Sequence, residues 1–328
     1  MRSRGVLFTG VGQVTLGDVD VPSPEPGEVL VEIDFSVVSP GTELRCLAGK
    51  QPGAPAWPFV AGYSAAGRVI ETRSESLEVG AEVYVGGTQR CRPARLWGGH
   101  VAHAVVAADA AYRLPDGCSL VDAACAHLAG IAMRGVVVTK PRPADRVAVV
   151  GLGPIGQLSA RLFQIAGAQV IGFDRAAERT ALLQTAGVAA REVRGSLSDS
   201  VRREWPDGAD VVVDATGAPA VLAEALAAAR ETPWGDTEVH GPRLVIQGSY
   251  PSEFSLNYDA AFRKEITIHM PRDCRPSDVR AVLNQIADGR LRVDDLFLVR
   301  PADAAPLTYE ELRAGRPELL SVAFAWRD

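Results

Sequence analysis

No CxxC pair occurs among the five cysteines, Cys46, Cys91, Cys118, Cys125 and Cys274, which are odd in number and scattered. A disulfide framework or a zinc ribbon needs paired, regularly spaced thiols, so neither is expected and a reducing compartment fits. No run of lysine and arginine occurs either. The net charge is −6 and the pI is about 5.5. "VRREW" at 201–205 is short and reads as a solvated helix face, so the basic surface of a nucleic-acid binder is missing. No apolar run follows the two arginines of "MRSRGVLFTG", and no signal peptide is expected. The longest apolar stretch, "AACAHLAGIAMRGVVV", contains His127 and Arg134 and reads as a buried helix rather than a membrane span. Repeats and low-complexity segments are lacking. These absences lead us to expect a soluble, cytoplasmic protein with no nucleic-acid or membrane partner.

What is present fits two packed domains. The chain has 328 residues, of which 47% are hydrophobic and 23% charged, enough for sizeable cores and too apolar for disorder. Residues 5–115 are rich in short β-like runs such as "VLVEIDFSVV", "AGRVIE", "AEVYVGG" and "HVAHAVVAAD". Gly and Pro punctuate them, as in "PSPEPGE" and "QPGAPAWP". That pattern predicts a barrel or sandwich. From about 120 the pattern changes. "SLVDAACAHLAGIAMRGV" reads as one helix with Ser119 as N-cap. "DRVAVVG", "AQVIGFD", "ADVVVDATG", "RLVIQGSY" and "ITIHM" then read as strands, with helices such as "IGQLSARLFQIAG" and "AAERTALLQTAG" alternating between them. Alternation of this kind predicts an α/β, doubly wound parallel sheet. The tail reads as helix "PSDVRAVLNQIADG", strand "DLFLV", helix "APLTYEELRAG" and strand "SVAFAW". Residues 231–242 read as a surface loop.

Gly151, Gly153 and Gly156 form a GxGxxG motif that follows a predicted strand and opens a predicted helix. Gly151 permits the tight turn, Gly153 lets a pyrophosphate approach the backbone, and Gly156 lets helix and sheet pack closely. The helix N-terminus, with Pro154 and Ile155, offers free N–H groups to the phosphates. Asp174 ends the second strand, 18 residues after Gly156. A carboxylate there accepts hydrogen bonds from both ribose hydroxyls and repels a 2′-phosphate, which favours NAD over NADP. Arg175 stacks on adenine or is simply solvated.

These features, with the tail "YEELRAGRPELLSVAFAW", resemble the medium-chain dehydrogenase/reductase superfamily over nearly the whole chain. The resemblance implies a GroES-like β-barrel catalytic domain at 1–127, completed by 271–328, and a Rossmann NAD-binding domain at 128–270. It also implies a homodimer or homotetramer joined through Rossmann-domain edges, and a cofactor set completed by Thr216, Gly248 and Ser249, after the later strands. Zinc members of the family carry a Cys-Gly-Thr-Asp-like motif, a Gly-His-Glu motif and a third ligand before the Rossmann strand. Here "SPGTEL" puts Pro40 in the cysteine position, with Thr42 and Glu43 matching the rest. "AGYSAAG" puts Tyr63 in the histidine position and Ser64 in the glutamate position. His127 in "CAHLAGIA" takes the third. One ligand of three does not make a tetrahedral catalytic zinc. The four-cysteine structural-zinc lobe is also missing, with only Cys91 in that region. The chain therefore resembles a zinc-free branch, with NAD(H) as cofactor and no metal. "SPGTE", the Gly-Tyr pair and "GSYPSEFSLNYDAAF" further resemble hydroxyethyl-bacteriochlorophyllide dehydrogenases and related sugar or cyclitol dehydrogenases.

Oxidising an alcohol releases a hydride and a proton, and without zinc a side chain must take the proton. His127 is suited by its intrinsic pKa. Tyr63 needs a cationic neighbour to lower its own. Thr42 resembles the family's hydroxyl relay. The plainer alternatives are a core histidine, a packing aromatic and a turn-stabilising threonine. Glu43 reads chiefly as a structural partner for an arginine and is also placed, with Ser64 and Tyr250, among residues shaping a substrate pocket. His100 and His103 read as surface positions, and Cys125 as a buried, inert thiol. The expected small-molecule substrate is a secondary alcohol on a sugar, cyclitol or natural-product intermediate, because Thr42, Tyr63 and Ser64 offer hydroxyl groups. The alternatives are the hydroxyethyl side chain of a chlorophyll precursor, a quinone or enoyl substrate, and a non-catalytic nucleotide sensor.

Overall fold

The computed structural model describes residues 1–235, 240–250 and 253–327. Part of the expected loop at 231–242, and Pro251 and Ser252 of "GSYPSEF", lie outside the described residues. The chain divides into two compact units, one of Met1–Leu128 with Val279–Asp328, the other of Ala129–Asp278. The sequence expectation put the second crossing at 270/271. The residues up to Asp278 instead go with the parallel-sheet unit, where the buried Asp278 carboxylate pairs with Arg134 at 3.3 Å.

The first unit is all strand at its centre. The strand Glu28–Val37 pairs antiparallel along one flank with Ala65–Thr72. Its other flank is shared: His103–Ala107 pairs with its first half, and Val322–Ala325 with Phe35–Val37. The last strand of the sequence thus pairs with the third, which is why both chain ends build one unit. A second sheet runs Gln13–Asp20, Arg2–Gly10, Phe59–Val60, Ala94–Arg95. Val31, Ile33, Val83 and Val101 are fully buried in one core cluster. Phe8, Phe59, Tyr309 and Phe324 form another. Each such side chain contributes about 1.5–3 kcal/mol by leaving water. This is the GroES-like architecture expected from the sequence.

The second unit is a six-stranded, all-parallel sheet. Its spatial order is Ala189–Glu192, Gln169–Asp174, Arg146–Val150, Val211–Asp214, Arg243–Ile246, Thr267–His269. Numbered along the chain, that is the 3-2-1-4-5-6 order of a Rossmann sheet. Val147, Val149, Val211, Val212 and Val213 are fully buried, as strands covered on both faces require.

The helix expected across "SLVDAACAHLAGIAMRGV" is in fact two, Leu120–Ala123 and Ala126–Thr139. Ser119 caps the first, accepting the amide of Asp122. The hydroxyl of Ser64 stands in the break: it donates to the Ala124 carbonyl at 2.6 Å and accepts the His127 amide at 3.3 Å. A side chain from just before the strand Ala65–Thr72 thus serves backbone groups that an unbroken helix would pair internally. Among the described residues no helix is long and apolar enough to cross a membrane.

Candidate active site

In the parallel-sheet unit the loops after the strands gather at the carboxyl edge, where open α/β sheets bind ligands. Gly151 follows the first strand with φ +83, a left-handed conformation that glycine adopts without strain. A side chain at Gly156 would lie 1.8 Å from the Gly151 carbonyl oxygen, so only glycine lets the helix Pro154–Ile165 start this close to the turn. A side chain at Gly153 would meet nothing within 4 Å, which leaves open space beside the helix N-terminus. Pro154 occupies the first turn, where its missing N–H costs nothing. These residues fit the pyrophosphate of a dinucleotide.

Asp174 ends its strand with one carboxylate oxygen accepting the Leu152 amide at 2.6 Å and the other the Ala176 amide at 2.9 Å. Arg179 stands 3.8 Å away. Each carboxylate oxygen keeps lone-pair capacity, so Asp174 can brace the glycine turn and still accept ribose hydroxyls. Arg175 beside it is exposed.

Asp214 is fully buried and joins the next two loops. Its carboxylate accepts the Thr216 amide at 2.9 Å, the Thr216 hydroxyl at 2.6 Å and the Tyr250 hydroxyl, while its backbone carbonyl accepts the Gln247 and Gly248 amides at 2.8 and 3.0 Å. Thr216, Gly248 and the exposed Ser249 are therefore held on one edge with the glycine turn. The Tyr250 hydroxyl donates to Asp214 and its ring packs on Phe254 at 5.2 Å. Burial, then the Asp214 carboxylate, push its pKa above the ordinary phenol value.

In the barrel unit Tyr63 is nearly buried. It follows Gly62, whose φ is +82 and where a side chain would meet the His100 ring at 2.5 Å. The Tyr63 hydroxyl donates to Ser39 Oγ. Its ring meets Trp97 edge-on at 5.3 Å and His127 at 4.7 Å. His127 is half-buried at the start of the helix Ala126–Thr139, and its Nδ1 lies 2.8 Å from the Tyr84 hydroxyl. If Tyr84 accepts the Nδ1 proton, Nε2 is left as a base; if Tyr84 donates, Nε2 carries the proton. Thr42 sits half-buried in the first turn of the helix Pro40–Leu47, next to Glu43. Tyr63, His127 and Tyr84 thus form one group, with Ser39 on its flank.

Three expectations fail here for a common reason, burial. Glu43 neither pairs with an arginine nor faces a pocket. It is 1% exposed, and its carboxylate accepts the Ser39 amide at 2.7 Å, His100 Nε2–H at 2.9 Å and the Tyr309 hydroxyl. His100 is not on the surface but fully buried, in the space Gly62 leaves, with Nδ1 2.8 Å from Ser36 Oγ. Ser64 is fully buried, and its hydroxyl serves Ala124 and His127 rather than a substrate. His103 is half-buried, 3.0 Å from the Ser3 hydroxyl. Cys125 is buried as expected. Sequence reasoning missed Ser39, Tyr84 and Tyr309. Only Ser39 carried a local signal, as a serine before Pro-Gly-Thr at a helix start.

Of the positions that match the zinc motifs, Pro40 has no side-chain ligand atom and the Tyr63 phenol donates a hydrogen bond to Ser39 Oγ.

Two family models match the chain, "Alcohol dehydrogenase GroES-like domain" over residues 25–116 and "Zinc-binding dehydrogenase" over residues 154–288. A 2-desacetyl-2-hydroxyethyl bacteriochlorophyllide A dehydrogenase of Rhodobacter capsulatus is 28% identical, over 100% of this chain and 99% of its own. A probable D-xylulose reductase A of Aspergillus clavatus is 25% identical, over 96% of this chain and 95% of its own. Among solved structures, the alcohol dehydrogenase TADH from Thermus sp. ATN1 superposes with a TM-score of 0.84 at 25% identity, covering 99% of this chain and 100% of that one.

Proposed function

Since the chain belongs to the medium-chain, alcohol dehydrogenase-like dehydrogenase/reductase family, we propose that it is a zinc-independent, NAD(H)-dependent enzyme of the reducing cytoplasm that interconverts a secondary alcohol and a ketone. The substrate is a sugar, cyclitol or natural-product intermediate. The oxidoreductase class comes with the family. The finer reading rests on one observation above all: Tyr63 and His127 stand at positions that match the zinc motifs, ring against ring at 4.7 Å.

NAD, when bound, supplies a hydride acceptor for the carbinol carbon. Gly151, Gly153, Pro154, Ile155 and Gly156 would hold its phosphates, and Asp174 its ribose. Thr216, Gly248 and Ser249 would flank it. The chain's own residues handle the proton. His127, or Tyr63 once ionised, takes it from the substrate hydroxyl in oxidation and returns it in reduction, and Thr42 passes it toward solvent. No step runs through a metal.

The hydroxyethyl-chlorin reading is a specific second case, favoured by the Rhodobacter relative that aligns over the full chain. A quinone or enoyl reductase fits less well, because such reductases usually prefer NADPH and Asp174 disfavours a 2′-phosphate. A nucleotide sensor would bind NADH without turnover.

The test joins metal analysis to turnover. Protein purified without chelator should carry no stoichiometric zinc and should oxidise members of a polyol, ring-alcohol and hydroxyethyl-chlorin panel with NAD. His127→Asn should lower turnover by about 10²-fold while NADH binding survives. One zinc per subunit, lost together with activity on chelation, would overturn the zinc-free reading. Equal turnover in His127→Asn would remove His127 from the proton path.

A further inference from the structure

Ser39 is the N-cap of the helix Pro40–Leu47, yet its side chain makes no capping bond. A serine in that place ordinarily turns its oxygen to the amides of the first turn. Here the oxygen receives the Tyr63 phenol proton instead, with Ser39 at 6% and Tyr63 at 7% exposure. The diversion is built in. Glu43, one turn along, reaches back and accepts the Ser39 amide at 2.7 Å. Its other oxygen is fixed by His100 Nε2–H and by the Tyr309 hydroxyl. His100 is fixed in turn by Ser36, which accepts the Trp326 indole N–H at 2.8 Å. A frame of buried groups therefore holds Ser39 so that its hydroxyl faces Tyr63.

We infer that Ser39 is the positioning residue for Tyr63 in proton transfer, accepting the phenol proton in the resting state and donating its own hydroxyl proton to the phenolate when Tyr63 is ionised. This rests on the reading of Tyr63 as a proton-handling group. The exchange needs only rotation about the serine Cβ–Oγ bond. In reduction the Tyr63 O–H bond breaks as the substrate oxygen takes the proton, and the phenolate is reprotonated from solvent by way of Thr42; in oxidation the same steps run in reverse. A hydroxyl that can donate stabilises the phenolate; a methyl in its place cannot. A titratable group facing the Tyr63 ring is His127, from the helix Ala126–Thr139, with the Tyr84 phenol hydrogen-bonded to its Nδ1. Glu43, His100, Tyr309 and Cys46 lie behind Ser39, and the Glu43 carboxylate is a contributing cause of the raised Cys46 and Tyr309 pKa values. Ser39→Ala leaves all of these in place, so the variant isolates the hydroxyl.

The experiment is an alkaline titration of tyrosinate absorbance on the full chain, with Tyr63→Phe subtracted to isolate the Tyr63 component. It is run beside the pH profile of kcat for wild type, Ser39→Ala and Ser39→Thr. Ser39→Ala should raise the Tyr63 pKa by about one unit, tenfold in its ionisation constant. The matching limb of the kcat profile should move upward with it while KM changes less than about threefold. Ser39→Thr, which keeps the hydroxyl, should restore both. An unmoved Tyr63 titration in Ser39→Ala overturns the inference. A shifted titration with an unmoved kcat profile overturns Tyr63 as the proton carrier, and with it the role given to Ser39.

Discussion

Replacing Glu43 by leucine removes the acceptor on which three buried donors converge, the Ser39 amide, His100 Nε2–H and the Tyr309 hydroxyl. Each orphaned buried donor costs about 1–3 kcal/mol. Sparing the carboxylate its own burial returns several kcal/mol, and the net loss on breaking a buried paired group is about 3–5 kcal/mol. Leucine fills the volume, so cavity formation adds little. With a urea m-value of about 2 kcal/mol/M, the unfolding midpoint should fall by roughly 1.5–2.5 M. The readout is urea denaturation followed by tryptophan fluorescence, to which Trp57, Trp97 and Trp326 of the barrel unit contribute. A His100→Phe variant should be destabilised too, and the double variant should lose less than the sum of the two, because the pair shares one bond. A Glu43→Leu midpoint within about 0.3 M of wild type would refute the reasoning, since the carboxylate could not then be the hub of a buried network.

Further outcomes follow from single features. Asp174→Ser removes the charge that repels a 2′-phosphate, so the ratio of NADP to NAD turnover should rise at least about tenfold in steady-state assays. Because Asp174 also accepts the Leu152 and Ala176 amides, some loss of thermal stability should accompany the switch. Burial pushes the Cys46 and Cys274 thiols up to about 12 and Cys91 and Cys118 up to about 11. A thiol reagent at pH 8 should therefore modify these four far more slowly in native than in urea-unfolded protein. Burial holds His103 below the ordinary imidazole value, so the unfolded chain takes up that proton first as the medium is acidified. Its contribution to stability is present above about pH 6.5 and is lost as pH falls through the folded value, and His103→Gln should flatten this part of the curve of unfolding midpoint against pH.

Much of the fold was legible from local pattern. The valine-rich runs at 146–150 and 211–214 suit strands buried on both faces. The alternation of such runs with amphipathic helices leaves few arrangements besides a parallel sheet. The glycine turn was legible because its chemistry is local: Gly151, Gly153 and Gly156 and the helix they open lie within a dozen residues. Pro40 could be struck out as a metal ligand from its identity alone.

The placement of the remaining polar groups was not legible, because it depends on contacts between residues far apart in the chain. Glu43 meets Tyr309, and Trp326 meets Ser36, only because the final strand Val322–Ala325 pairs with Phe35–Val37. His100 read as a surface residue because nothing near it in sequence shows that Gly62 leaves a space the size of its ring. Ser64 read as a pocket hydroxyl because the break in the helix that it serves forms 60 residues later. Ser39 was passed over because a serine before a helix is ordinarily a cap, and only the folded barrel brings Tyr63 close enough to claim its oxygen. Sequence by itself determined which chemical groups were available and the sheet that carries the cofactor loops. Tertiary structure decided which of those groups are consumed inside the core, because a buried polar atom must find its partner wherever the packing puts one.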